Sequence, residues 1–318
     1  MSCRCNYLQI KLIPSDVRKN SRKTVKSGTF FRQSDRAIVQ RYRCGECGGS
    51  FSDATMSVCE NQKKRQKNSQ VFSLLVSGVS QRRCAMLLNI NRKTVVRKFL
   101  FLGILAAEAI PGRNFLYKKA SQVTFDDLET FEHTRCKPLS VILLTEKQSR
   151  RILGYRVSQM PARGPLADIS RKKYGIRRDD RAEKRNALFG ELRDHIQDDA
   201  TFSSDKSPHY APTIRKHYPK AKHKKFKGRK AALIGQGELK KGRSDPLFSI
   251  NHTFAMLRAN INRLFRRTWN TTKKKERLNY HIALYVVFHN EVLLKKKKKS
   301  KDKQSLADDL YNALTIAS

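Results

Sequence analysis

A chain of 318 residues with 68 Lys and Arg against 27 Asp and Glu carries a net charge of +41; its length suits roughly two domains, and its surplus of cation calls for a polyanionic partner, nucleic acid first. No apolar run reaches the ~18 residues of a membrane span, and Lys11 breaks the only apolar patch near the amino terminus, so no membrane partner is expected. Seven cysteines form an odd number without a regular framework, which fits a reducing, cytoplasmic location better than secretion.

Residues 1–60 form a turn-rich, cysteine-containing segment. Within RYRCGECGGSF (41–51), Cys44 and Cys47 stand two apart with glycines beside them, the spacing of a zinc knuckle in which a tight turn aims two thiolates at one Zn²⁺. One knuckle is half a site, and the upstream candidates, Cys3 and Cys5, are spaced by a single residue. Two readings therefore stay open: a zinc-ribbon-like segment, or reduced cysteines in a basic ribbon without metal.

Residues 61–110 begin with a basic linker, NQKKRQKN, and continue into VFSLLVSGVSQRRCAMLLNINRKTVVRKFLFLG (71–103). The pattern predicts a first helix over 71–76 ending at Gly78, then a second capped by Ser80 with Cys84, Leu87 and Leu88 turned inward. After Asn89-Ile90-Asn91, a third helix buries Val95, Val96 and Phe99. Its outer face then carries Arg92, Lys93, Thr94, Arg97 and Lys98, the arrangement of a helix-turn-helix whose last helix enters a DNA major groove.

Residues 120–294 alternate strand-like and helical patterns. VTFDDLETF (123–131) reads as a strand carrying Asp126, Asp127 and Glu129; the last two are weaker candidates for an acidic site and are expected first as solvated residues flanking the strand. LSVILLTEK (139–147) and RILGYRVSQM (151–160) predict an antiparallel meander. A helix follows in RAEKRNALFGELRDHI, with Leu188, Leu192 and Ile196 on one face, and ATFSSDKSPHY then places Asp205 after a short apolar run. Three strands, a helix and a strand, with an acid on the first and fourth strands, is the RNase H-like order. The expected class is thus mixed α+β: a zinc-ribbon-like segment and a helix-turn-helix ahead of an RNase H-like α/β domain.

At this point the chain resembles the DDE-type transposases of bacterial insertion sequences, the class with a zinc ribbon and helix-turn-helix before the catalytic domain. The resemblance runs from about Val25 to Leu294. It is carried by RYRCGECGGSFSDAT, SQRRCAMLLNINRKTVVRKFLFL, FDDLETFEHT, SSDKSPHY and LRANINRLFRRTWNTTK, which are individually weak and specific in this order. It implies metal-dependent DNA strand cleavage and strand transfer, with two Mg²⁺ or Mn²⁺ ions held by an acidic triad. Asp126 takes the place of the first acid and Asp205 that of the second. Such chemistry accounts for an acidic island in a basic protein, because hard divalent ions take carboxylate oxygens.

The third acid departs from the family pattern. Residues 246–275 contain no Asp or Glu, and alignment on LRANINRLFRRT sets Asn251 where the family has glutamate. Three readings remain: Asn251 as a third ligand with His252 beside it, Glu238 reaching in from GQGELKKG, or a decayed, catalytically inactive copy. In the same segment Phe254, Leu257, Ile261 and Leu264 form an apolar stripe, while Arg258, Arg263, Arg266 and Arg267 lie off it as candidate DNA contacts, as does the basic stretch 214–230. Trp269 is expected to pack near the helix end. Residues 278–294 read as a buried closing helix whose His281 and His289 are core or surface residues, and 295–318 as a basic, disordered tail. The resemblance implies transposon ends and target DNA as partners, a homo-oligomer in the synaptic complex, and a nucleoid-associated bacterial location. The rivals are a sequence-specific DNA-binding regulator and, outside this class, a basic RNA-binding protein, against which counts the lack of an interleaved aromatic platform.

Overall fold

The computed structural model describes residues 24–45, 48–227, 245–265 and 270–294. Cys3, Cys5, Cys47, Glu238, Arg266, Arg267, Trp269, the end of the basic stretch from 228 and the tail lie outside them.

The described residues open with a three-stranded antiparallel sheet: β1 (Thr24–Arg32), β2 (Ala37–Cys44) and β3 (Ser50–Ser52), in that order. A single turn of helix, α1 (Asp53–Met56), follows, capped by the Ser52 hydroxyl accepting from Thr55 N. Three helices come next: α2 (Asn68–Val76), α3 (Gln81–Leu87) and α4 (Arg92–Asn114). Their boundaries are set locally. Gly78 takes φ +78°, a left-handed turn that favours glycine. Ser80 Oγ accepts from Arg83 N at 3.3 Å and Asn91 Oδ1 from Lys93 N at 2.8 Å, each satisfying one orphan donor at a helix start.

A mixed five-stranded sheet forms the rest: β4 (Ala120–Phe131), β5 (Pro138–Glu146), β6 (Ile152–Gln159), β7 (Ile196–Asp205) and β8 (Lys222–Phe226), in the order β6-β5-β4-β7-β8. β4 to β6 form an antiparallel meander, as the short connection around Gln148 leads one to expect for β5 and β6, while β7 and β8 join β4 in parallel. Helices α5 (Leu166–Tyr174) and α6 (Arg181–Glu191) precede β7; α7 (Tyr210–His217) crosses from β7 to β8. After β8 come α8 (Phe248–Asn260) and α9 (Lys275–Phe288), the latter continuing in a π-turn over His289–Leu293.

The pleat divides β4 between two cores. Val123 and Phe125 pack with Phe189, Phe202, Tyr210 and Tyr218 under α6 and α7. Leu128 belongs to the larger core on the opposite face, with α8 and α9. That core also contains Val71, Phe72, Leu75, Val95 and Phe99 of the three helices. The change from helices to strands near residue 115 therefore has a shared core beneath it. Phe254, Leu257, Ile261 and Leu264 are all buried in it, though α8 stops at Asn260. Ile196, expected on the face of a helix, instead starts β7 after a short 3₁₀ turn over Arg193–His195.

His281 and His289 are core residues. His281 Nε2–H donates to Leu75 O at 2.9 Å and the ring meets Phe99 edge-on. Burial, aided by Arg263, pushes its pKa down to about 4. Above pH ~6.5 the ring is neutral whether folded or not, so its contribution is fully present; below that the unfolded chain takes up a proton which the folded chain refuses until about pH 4. Between pH 7.5 and 5, unfolding free energy from urea titration should thus drop by roughly 2 kcal/mol more for the natural protein than for His281→Gln. Equal losses would refute the buried neutral imidazole.

Candidate active site at the ends of two parallel strands

Neighbouring parallel strands β4 and β7 pair through Thr124 and Ser203. Two residues further along each strand stand Asp126 and Asp205, brought level and onto the same face of the sheet by the period-two alternation. The two acids predicted from the sequence, 79 residues apart, are therefore adjacent.

Each carboxylate is held by the backbone. Asp126 Oδ1 accepts from Asp127 N at 2.8 Å, and Asp205 Oδ1 from Ser207 N at 2.9 Å. Burial first, and then the nearby charges of Asp205 and Asp127, together raise the Asp126 pKa to about 6 against the opposing hydrogen bonds from Asp127 N and the Tyr210 hydroxyl. The molecule thus places a carboxylate where its charge is disfavoured, beside a second acid. A cation between the two would reverse that penalty.

Asp127 corrects an expectation: it is bound on both oxygens rather than solvated. Ser140 Oγ donates to Oδ1 at 2.6 Å and Tyr210 OH to Oδ2 at 2.8 Å. The same hydroxyl lies 3.2 Å from Asp126 Oδ1; with one proton to give, it favours the shorter contact. Tyr210 packs edge-on to Phe125 and beneath the Arg185 guanidinium, while burial and the surrounding acids push its own pKa far up. Sequence reasoning missed Tyr210, because its place at the first turn of α7 leaves no mark in the periodicity. Glu129 is exposed, as expected.

Asn251 is not brought to the pair. Ser249 Oγ, two residues earlier on α8, meets Thr124 Oγ1 at 3.1 Å, and two helical residues turn the chain through about 200°. Asn251 is accordingly exposed, and its Nδ2 donates to Asp245 Oδ2 at 2.8 Å. His252 stands against Arg150. The buried side of α8 presents Ser249, Ile250, Thr253, Phe254 and Leu257, none of them acidic. Among the described residues no cluster of three or more His, Cys, Asp or Glu side chains has the geometry to hold a metal. Cys44 is half-buried at the end of β2, with Gly48 N donating to its carbonyl in a tight turn; its knuckle partner, Cys47, lies outside the described residues.

Of the residues expected on the outer face of α4, Arg92, Lys93 and Arg97 are exposed and Thr94 is half-buried. Lys98 is a correction: it is 4% exposed and donates to Asn68 Oδ1 at 2.6 Å and Lys63 O at 3.2 Å. It ties α4 to the preceding linker. Leu87, expected inside, is 66% exposed, whereas Cys84 is fully buried. Arg258 is half-buried beside Leu128 and Phe131, and Arg263 lays its guanidinium over the Phe99 ring.

Among the described residues no helix is long and apolar enough to cross a membrane. No protein-family model matches this chain, and no curated protein is significantly similar to it.

Proposed function

We propose that the protein is a DDE-type transposase that binds insertion-sequence ends and cleaves and transfers DNA strands. The observation that carries this reading is the pair Asp126 and Asp205, level on two adjacent parallel strands, with the first driven to about 6 by burial and by the second. The strand order β6-β5-β4-β7-β8, in which only β5 runs against the others, supports an RNase H-like sheet. The three helices α2 to α4, with Arg92, Lys93 and Arg97 exposed at the start of the last, support a helix-turn-helix docking on DNA.

The donor set fits a hard divalent cation, because two carboxylates meet at a half-buried position where the charge of Asp126 is otherwise disfavoured. Asp126 and Asp205 would hold Mg²⁺ or Mn²⁺, which would supply Lewis-acid charge for phosphodiester attack. Tyr210 fixes the orientation of the β4 acids from outside. DNA ends and target DNA are the proposed partners, a synaptic homo-oligomer the working form, and the bacterial nucleoid its location; zinc at Cys44 and Cys47 belongs to the same reading.

A second reading, a DNA-binding remnant or regulator that does not cut, is favoured by one observation: the sheet-facing side of α8 carries no carboxylate. One assay separates them. The protein is incubated with Mg²⁺ or Mn²⁺ and a labelled duplex carrying the inverted repeat that flanks its coding sequence. A nick at the 3′ end of the element supports the transposase; binding without a nick supports the second reading. Tyr210→Phe should slow nicking by about 10- to 100-fold and weaken the apparent divalent affinity, with DNA affinity unchanged; a full nicking rate would show that Tyr210 does not position the acids.

A further inference from the structure

A cavity of about 840 Å³ lies between the three helices and the entry to α9, and neither acid of the pair lines it. Six cations line it: Arg82 on α3, Arg92 at the start of α4, Arg263 after α8, and Lys273, Lys274 and Arg277 leading into and along α9. Among the described residues no carboxylate lines it. None of the six forms an ion pair among the described residues, although ten such pairs occur elsewhere. Arg263 Nε is buried without a hydrogen-bond partner there.

Convergent cations without counter-charge repel one another, and an anion relieves that cost. The Arg263 guanidinium reports the strain: burial, with Arg277 beside it, lowers its pKa to about 10. Arg92 opens a helix of 23 residues, whose first-turn amides and dipole also favour negative charge. Val79, Val96 and the fully buried Phe99 are among its apolar lining, and Asn262, Asn270 and Thr271 stand with the cations as polar lining. Arg92 belongs both to this cleft and to the exposed face of α4, so an anion here is continuous with whatever lies on that face.

The geometry points to this cleft as a clamp for the phosphodiester backbone of DNA docked on α4, with one wall from the three helices and the other from α9. It rests on the DNA-binding reading above and adds residues of the closing helix to the interface.

The test is fluorescence anisotropy of a labelled duplex of about 30 base pairs, titrated with the full chain across about 50 to 200 mM salt. The triple variant K273Q/K274Q/R277Q should bind at least about tenfold more weakly, for all sequences alike, and its log affinity against log salt should flatten by about 3. R82Q, on the other wall, should flatten it by about 1. A charge-matched control, K118Q/K119Q/K172Q, removes three exposed lysines outside the cleft and should leave the slope nearly unchanged. Equal effects of the two triples would reduce the cleft to general charge and overturn the inference, as would an unchanged slope in the first triple and R82Q. If the natural protein bound no DNA, the DNA-binding reading itself would fail and the clamp with it.

Discussion

Asp126→Asn and Asp205→Asn should each reduce strand cleavage by at least about 10³-fold while leaving duplex affinity intact, because each removes a charge needed only at the reacting phosphate. The first variant should also be more stable than the natural protein when divalent ions are chelated. Asp126 has a pKa of about 6 in the fold against 3.8 for an ordinary aspartate. Below pH ~3.8 it is protonated folded or unfolded and costs nothing. Between 3.8 and 6 the unfolded chain loses its proton first, so the penalty grows, and above 6 it is full, at most about 3 kcal/mol. Asparagine keeps an oxygen for the Asp127 amide and removes the charge. At pH 7.5 with chelator, its thermal midpoint should therefore rise; adding Mg²⁺ or Mn²⁺ should then raise the midpoint of the natural protein by mass action and leave the variant's nearly fixed. Cleavage at the natural rate in either variant would remove that aspartate from the mechanism. A lower midpoint for Asp126→Asn would instead show that its charge is well solvated.

These expectations were open to sequence reasoning because strand alternation is short-ranged. Val123 and Phe125 mark one side of β4 and so fix the side of Asp126; the run ending at Asp205 does the same for β7. Caps are equally local, which is why Ser80 and Asn91 start α3 and α4 where their side chains indicate. Helix faces are different, because which side is inward depends on a distant partner. Lys98 was expected outward, yet Asn68 waits for its ammonium 30 residues earlier. Leu87 was expected inward, yet the packing of α3 covers Cys84 and leaves Leu87 and Met86 in solvent. Asn251 was placed by alignment alone, and the bond between Thr124 and Ser249 turns it outward. The cationic cleft was hidden for the same reason: its walls come from residues nearly two hundred positions apart, and each cation alone reads as a solvated side chain.

Gly103 supplies the second large effect. It lies midway along α4, which runs on through Pro111 to Asn114. There α4 crosses α9 so closely that a Cβ on Gly103 would stand 2.5 Å from Tyr280 Cβ and 3.3 Å from Tyr280 Cα. Neither atom can be rotated aside, so the α9 backbone must move. Gly103→Ala should cost about 2 to 3 kcal/mol despite alanine's higher helix propensity, and Gly103→Val more. Gly112→Ala on the same helix meets nothing within 4 Å and should be neutral or stabilising by up to ~1 kcal/mol. Urea unfolding of the two alanine variants measures the contrast directly, with the midpoint shifted and its slope kept. Because α4 carries Arg92 and α9 carries Arg277, the same displacement widens the cationic cleft, so Gly103→Ala should weaken DNA binding under conditions where it remains folded, while Gly112→Ala binds normally. Equal stability of the two variants would mean that the helices part without cost, and that the shared core does not hold the two walls of the cleft in register.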